Sequence, residues 1–197
     1  MGNCSDKYEV LSSVIQSLES KDTFQNIVKV ILRKANTYIQ AEYIAVVQKE
    51  SDDNRLAYIA SEGEADGFIE KVSDGGYSLE ELNKSVHAHI GVPVGDYVVP
   101  IVINGIKAMY LVIHGTVKEL TEELDSFIHS IASVIQNIAQ MRVTNNSLLS
   151  SYEVLKDILN NIGSGIIVCD RSSANILFEN KVAGESKEIQ NAIRECL

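Results

Sequence analysis

From Thr116 to Ile162 the sequence contains neither glycine nor proline, and apolar residues recur at helical spacing. Thr121 can cap such a helix, and Glu122 and Glu123 suit the positive end of its dipole. The first part has an apolar face formed by Phe127, Ile128, Ile131, Ile135 and Ile138. The second part has a seam with alternating spacings of four and three, formed by Leu148, Tyr152, Leu155, Leu159 and Ile162. A helix of this length is too long for one small domain, so we expect it to leave the domain and pair.

A second clear helix is predicted over residues 24–39, where apolar residues recur at i, i+3, i+4 and i+7. Asp22 is the expected N-cap, with Gln25 completing a capping box. Further upstream, Val10, Leu11, Val14, Ile15 and Leu18 form a narrow apolar stripe. This stripe packs either on the domain's own last helix or, as we favour, on a partner. The predicted dimer interface comprises Val10, Val14, Leu18, Ile135, Ile138, Leu148, Tyr152 and Leu155.

Two hairpins are predicted between these helices. The first joins EYIAVVQ to RLAYIAS, and the second, DYVVPIVINGIKAMYLVIHG, turns at Asn104–Gly105. Asn-Gly favours a type I′ turn, because both of its central residues need positive φ. Pro100 cannot donate to a strand ladder, so it is expected at a bulge or on an unpaired side. Residues 62–95 are mostly loop, with a short helix expected from a capping box at Ser78.

Composition excludes several classes of function. A formal net charge of −10 disfavours nucleic-acid and anionic membrane surfaces. No apolar run reaches the ~20 residues of a membrane span. The three cysteines form no CxxC pair, which suggests a reducing, cytoplasmic setting. The four histidines fit no metal-ligand motif, so neither a metal, a cofactor nor a catalytic residue is predicted.

The order of elements over residues 22–142 resembles that of a GAF domain. The most specific part is VVPIVINGIKAMYLVIHGTVKELTEELDSFIHS, a strand with proline, a turn, a returning strand and a helix opened by Thr-Glu-Glu. The returning strand of GAF domains usually begins with glycine, and here Ala108 or Met109 occupies that place. The region contains no cysteine, which argues against a thiol nucleophile and against a bilin linked to a core cysteine.

The resemblance implies a small-molecule pocket between the sheet and the middle segment. The expected lining residues are Tyr58, Phe68, Tyr77, His87, His89, Tyr97, Tyr110 and His114. Strand alternation places Tyr110, Val112 and His114 on one face, and the apolar Met109, Leu111 and Ile113 on the helix-packing face. The alternative is that these aromatic residues simply fill a second small core.

The stretch LNNIGSGIIVCDRSSANILFEN resembles the start of a PAS domain, with GIIVCD as its first strand and ILFEN as its second. A PAS sheet needs further strands, so residues 163–197 are expected to form an incomplete, loosely packed or intermolecularly paired hairpin.

These observations predict an α+β fold with a GAF-like antiparallel sheet flanked by helices. The predicted division is a dimerisation helix (1–21), a GAF-like sensory domain (22–143), a coiled-coil linker (144–162) and a truncated PAS-like segment (163–197). The expected function is a cytoplasmic, homodimeric signal-transduction module, upstream of a diguanylate cyclase or histidine kinase output. It would bind an unknown small effector or transmit dimer geometry through the long helix. The alternatives are the effector domain of a transcriptional regulator and a GAF-fold enzyme.

Overall fold

A computed structural model describes Ser12 and residues 22–50, 55–75, 96–115, 120–171, 173 and 175–186. The chain divides into two compact units, Met1–Met141 and Arg142–Leu197. The described elements, numbered in chain order, are α1 (Phe24–Ile39), β1 (Tyr43–Lys49), β2 (Leu56–Gly63), α2 (Asp66–Ser73), β3 (Asp96–Ile103), β4 (Ile106–His114), α3 (Glu122–Asn161), β5 (Ile167–Cys169), β6 (Ile176–Glu179) and α4 (Lys181–Glu185).

The first unit contains a four-stranded antiparallel sheet in the order β2-β1-β4-β3. One face of this sheet packs against α1 and the first part of α3, and the main hydrophobic core lies between them. The predicted α+β class, with an antiparallel sheet, flanking helices and a long C-terminal helix, is therefore confirmed. Among the described residues, no helix combines the length and hydropathy that a membrane span requires.

Helix α1 buries one apolar stripe, formed by Ile27, Val28, Ile31, Leu32, Ala35 and Ile39. The prediction of Asp22 as N-cap is wrong by one residue. The hydroxyl of Thr23 accepts the N–H of Asn26 at 3.3 Å, because the helix begins at Phe24 and the cap must directly precede it. At the other end, the Asn36 side chain bonds both backbone groups of Ala41 and so fixes the exit towards β1.

The β3–β4 hairpin turns where the sequence predicts. Asn104 and Gly105 have φ of 51° and 80°, as a type I′ turn requires. Pro100 lies on β3, an edge strand of the described sheet, where proline is tolerated. Met109, Leu111 and Ile113 contribute to the main core, whereas Tyr110 and Val112 belong to a cluster on the opposite face. The predicted alternation along β4 is thus present.

Helix α2 was not predicted, because its eight residues include Gly67 and fall in a segment read as loop. It is held to the sheet by Phe68 and Val72, which are spaced four apart and buried. The short helix predicted after Ser78 lies outside the described residues.

The first part of α3 is a core helix. Thr121 caps it by accepting the N–H of Leu124 at 3.1 Å, as predicted. Its buried residues are Leu124, Phe127, Ile128, Ile131, Ala132, Ile135, Ile138 and Ala139. Assigning Ile135 and Ile138 to a dimer interface is therefore wrong, because both are buried inside their own domain.

In the second unit, β5 and β6 pair antiparallel, which matches the two strands predicted there. The connection from α3 is organised by Asn180, whose side chain is 1% exposed. Its Nδ2 donates to the carbonyls of Leu159 and Ser164, and its Oδ1 accepts the N–H groups of Ile166 and Ala183, all at 2.8–3.0 Å. A side-chain amide has two donor hydrogens and two acceptor lone pairs, so every one is used. The relation of this unit to a PAS domain stays a prediction.

Candidate functional site

The sheet face opposite α1 and α3, called the second face below, carries its own hydrophobic cluster. There Phe68 and Val72 of α2 pack with six residues of the strands: Ala45, Val47, Leu56, Val98, Tyr110 and Val112. Tyr43 and Tyr58 pack at its edge. This cluster brings together Tyr58, Phe68 and Tyr110 of the predicted pocket residues, so part of the predicted site fills a second small core.

An aromatic stack crosses the second face at one end of the strands. The ring of Tyr43 stacks on Phe68 at 5.4 Å and on His114 at 4.9 Å between ring centroids. His114 Nε2 also lies 3.6 Å from Glu42 Oε2. Tyr43 thus joins two predicted site residues but was itself missed. The alternation of Tyr43 with Ala45 and Val47 along β1 is the signal that could have identified it.

Tyr110 lies in the middle of the second face, opposite Val47 on β1, which in turn pairs with Tyr58 on β2. Its side chain is almost wholly buried, with 4% exposed. Burial raises the pKa of its hydroxyl, because the phenolate would lose its hydration.

A pocket of about 350 Å³ opens beside this cluster, where β2 begins and α2 ends. Its lining consists of Glu50, Arg55, Leu56, Ala57, Tyr58, Val72, Ser73, Asp74 and Gly75. The lining residues comprise one arginine, two acidic residues, two residues with hydroxyl groups, three apolar residues and one glycine. Such a lining suits a small polar molecule with an apolar part, because charged groups orient it and apolar groups bury it. Tyr58 is the described member of the predicted set that lines this pocket.

The placement of Tyr97 in the pocket is wrong. Tyr97 pairs with Ile113, and cross-strand neighbours share a face, so its ring packs against the main core. Its hydroxyl donates a hydrogen bond to Asp125 Oδ1 at the start of α3. Burial, followed by this bond and the Asp125 charge, raises the pKa of Tyr97 far above its ordinary value. Tyr77, His87 and His89 lie outside the described residues.

The predicted interface residues in the second part of α3 are exposed. Leu148, Tyr152 and Leu155 have 64%, 55% and 53% of their surface accessible in this single chain. The remaining predicted residues, Val10, Val14 and Leu18, lie outside the described part of the chain.

No protein-family model and no curated protein sequence matches the chain. Solved structures do match it. The GAF domain of an Acinetobacter phosphoenolpyruvate-protein phosphotransferase aligns with a TM-score of 0.53 and 13% identity, over 74% of this chain and 99% of that one. The GAF domain of a phosphoenolpyruvate-protein phosphotransferase from Coxiella burnetii aligns with a TM-score of 0.52 and 16% identity, over 74% of this chain and 99% of that one.

A phycoerythrobilin-bound GAF domain from a cyanobacterial phytochrome aligns with a TM-score of 0.54 and 9% identity, over 73% of this chain and 100% of that one. The chain has the fold of GAF domains. In this GAF fold, the helix-packed face holds the main core, while the second face carries the aromatic stack and the pocket.

Proposed function

We propose that this chain is a cytoplasmic sensory and regulatory module of a multidomain signal-transduction protein. It binds a small effector on the second face and works as a homodimer whose geometry passes along α3. The protein's output domain, of the diguanylate cyclase or histidine kinase class, responds to that geometry.

The observation that carries this proposal is that strand β4 contributes side chains to both hydrophobic clusters. Tyr110 and Val112 face the second cluster, whereas Leu111 and Ile113 face the core that holds α3. The pocket residues Leu56 and Val72 share the second cluster with Tyr110 and Val112, so a bound molecule that displaces them acts on β4 through this cluster. Successive residues of a strand point to opposite faces, so a displacement of β4 reaches both layers. A ligand that prefers one of two arrangements of the sheet and helix shifts their populations by its difference in affinity.

The pocket chemistry supports an effector that is small and polar in part. Arg55 suits a carboxylate or phosphate group, and Tyr58 supplies an aromatic ring with a hydroxyl. The hydroxyl of Tyr58 lies 3.0 Å from Ser61 Oγ, which orients it. The phytochrome neighbour is bound to phycoerythrobilin. Here no cysteine occurs between residues 5 and 168, so neither the sheet nor α1 or α2 offers a thiol for covalent attachment of such a molecule.

The test is a thermal-shift screen of small metabolites, with hits confirmed by calorimetry. A ligand at a hundred times its dissociation constant stabilises the folded state by ~2.7 kcal/mol, which is easily measured. We expect Arg55→Ala and Tyr58→Ala to abolish binding. The matched control is Arg33→Ala, because Arg33 is an exposed arginine that pairs with Glu62 at 3.6 Å and does not line the pocket. Equal affinity in all three variants would contradict the proposed site.

The dimer is tested separately by sedimentation of the full chain. We expect a dimer at high micromolar concentration, whose hydrodynamic size or cross-linking pattern changes when a confirmed ligand is added. A strict monomer, or a dimer indifferent to a ligand that binds the pocket, would contradict transmission through α3.

A further inference from the structure

The second part of α3 carries an exposed apolar stripe. After Asn145, apolar residues follow at alternating spacings of three and four, at Leu148, Tyr152 and Leu155. Leu149 and Ile158 flank this stripe, and 62% and 55% of their surfaces are exposed. Helices in water owe most of their stability to packing of an amphipathic face. A contiguous exposed apolar surface of this kind marks an interaction site.

The stripe matches its own copy. In heptad terms Asn145 and Tyr152 occupy a positions, and Leu148 and Leu155 occupy d positions. Two helices with this pattern pack their a and d side chains into each other's holes. Asn145 is the polar exception in this apolar seam.

The charges and the polar residue select one orientation. In an antiparallel pair that aligns residues 145–155 of the two copies, Asn145 would face Leu155 of the second copy. The same alignment would place Arg142 beside Lys156 of the second copy, which is a like-charge contact. In a parallel pair in register, Asn145 meets Asn145, and two amides can donate to and accept from each other. There Lys156 lies beside the neutral Ser151.

We propose that a second copy of this chain covers the seam in parallel, and that Asn145 fixes its register and its two-stranded state. This inference rests on the homodimer of the proposed function. A single polar residue at an a position specifies register and oligomer state at a cost in stability, because every other alignment buries its amide unpaired.

The experiment uses the full chain with Cys4, Cys169 and Cys196 replaced by serine and one cysteine introduced. Leu148→Cys reports on the seam, and Ser147→Cys, on the outside of the same turn, is its control. In a parallel dimer, mild oxidation cross-links Leu148→Cys to itself and leaves Ser147→Cys uncoupled. Cross-linking that instead requires a mixture of Asn145→Cys and Leu155→Cys chains would show an antiparallel pair and overturn the proposal.

The role of Asn145 is tested by adding Asn145→Leu, with Asn146→Leu on the outer face as the matched control. We expect Asn145→Leu to raise the melting temperature but to lose the single dimeric species, seen as heavier species in sedimentation and as weaker Leu148→Cys cross-linking. An Asn145→Leu protein with the same mass and cross-linking as Asn146→Leu would overturn the role of Asn145 while leaving the dimer standing. A parent protein that is monomeric and never cross-links would instead defeat the proposed function itself.

Discussion

Gln140 on α3 and Asn104 at the tip of the β3–β4 hairpin exchange two hydrogen bonds. The N–H of Asn104 donates to Gln140 Oε1 at 3.1 Å, and Gln140 Nε2 donates to Asn104 Oδ1 at 2.7 Å. One turn earlier, Gln136 Oε1 accepts the N–H of Val102 at 3.3 Å. Two glutamines of one helix therefore hold the end of an edge strand.

Replacing Gln140 with alanine removes both bonds to Asn104. We expect the free energy of unfolding to fall by about 1 kcal/mol and no more, since both hydrogen bonds are exposed and water replaces the lost partner. Urea denaturation of the full chain measures this. Asn137→Ala, an exposed change on the same helix, is the control. Equal stability of the two variants would show that the hairpin contact contributes nothing.

Tyr97 makes stability depend on pH in the alkaline range. Burial and Asp125 raise its pKa in the folded state, so the unfolded chain, with a pKa near 10, loses the proton first. The contribution of Tyr97 is fully present below that pH and decreases above it, by up to ~1.4 kcal/mol per pH unit. Urea titrations between pH 9 and pH 11 should show a shallower decline in Tyr97→Phe than in the parent. Parallel declines would contradict the raised pKa.

Asn180 should govern the order of the second unit. Asn180→Ala removes four hydrogen bonds at a buried position, so we expect a loss of about 3 kcal/mol. This corresponds to roughly a hundredfold faster amide exchange at Ile166 and Ala183. Asn180→Asp should be as harmful, because its carboxylate would face the carbonyls of Leu159 and Ser164. Asn175→Ala, an exposed control in the same hairpin, should leave exchange unchanged.

Ile135 and Leu148, both predicted at the interface, should respond in opposite ways. Ile135 is 0% exposed, so Ile135→Ala leaves a cavity and should cost ~2–5 kcal/mol at any protein concentration. Leu148 is exposed in the single chain, so Leu148→Ala should cost little in dilute solution and weaken association in concentrated solution. Denaturation at two protein concentrations separates these effects. A concentration-dependent loss in Ile135→Ala alone would reverse the assignment.

Periodicity predicted the elements of the helix-packed face well. Helix α1, both hairpins of the sheet and α3 appear where apolar spacing and the Asn104–Gly105 turn placed them, because these signals are local. The cap of α1 was misplaced by one residue, since Asp22 and Thr23 are both suitable caps and only the backbone decides between them.

The candidate site was less predictable, because it depends on which strands become neighbours. Tyr97 was assigned to the wrong face, because counting back through the two-residue turn pairs it with Val112. The register shift between Ile101 and Val102 makes Ile113 its partner instead, and a local irregularity of this kind is not visible in the apolar spacing. Ile135 and Ile138 continue the apolar face of α3 without a break in spacing, so the spacing does not mark where core contacts end. The pocket depends on α2, whose eight residues give too short a period to recognise.

Helix α3 contributes eight buried residues to the first unit, spread over more than four turns. Unfolding this stretch of α3 would expose all eight residues to water. A binding event with too little free energy to unfold the domain therefore cannot act by unwinding this part of the helix. A smaller input of free energy could instead move α3 as an intact helix, by rotating it about its axis or sliding it along the sheet. A change of this kind would be graded in angle and distance, and it would leave the helical content of α3 constant.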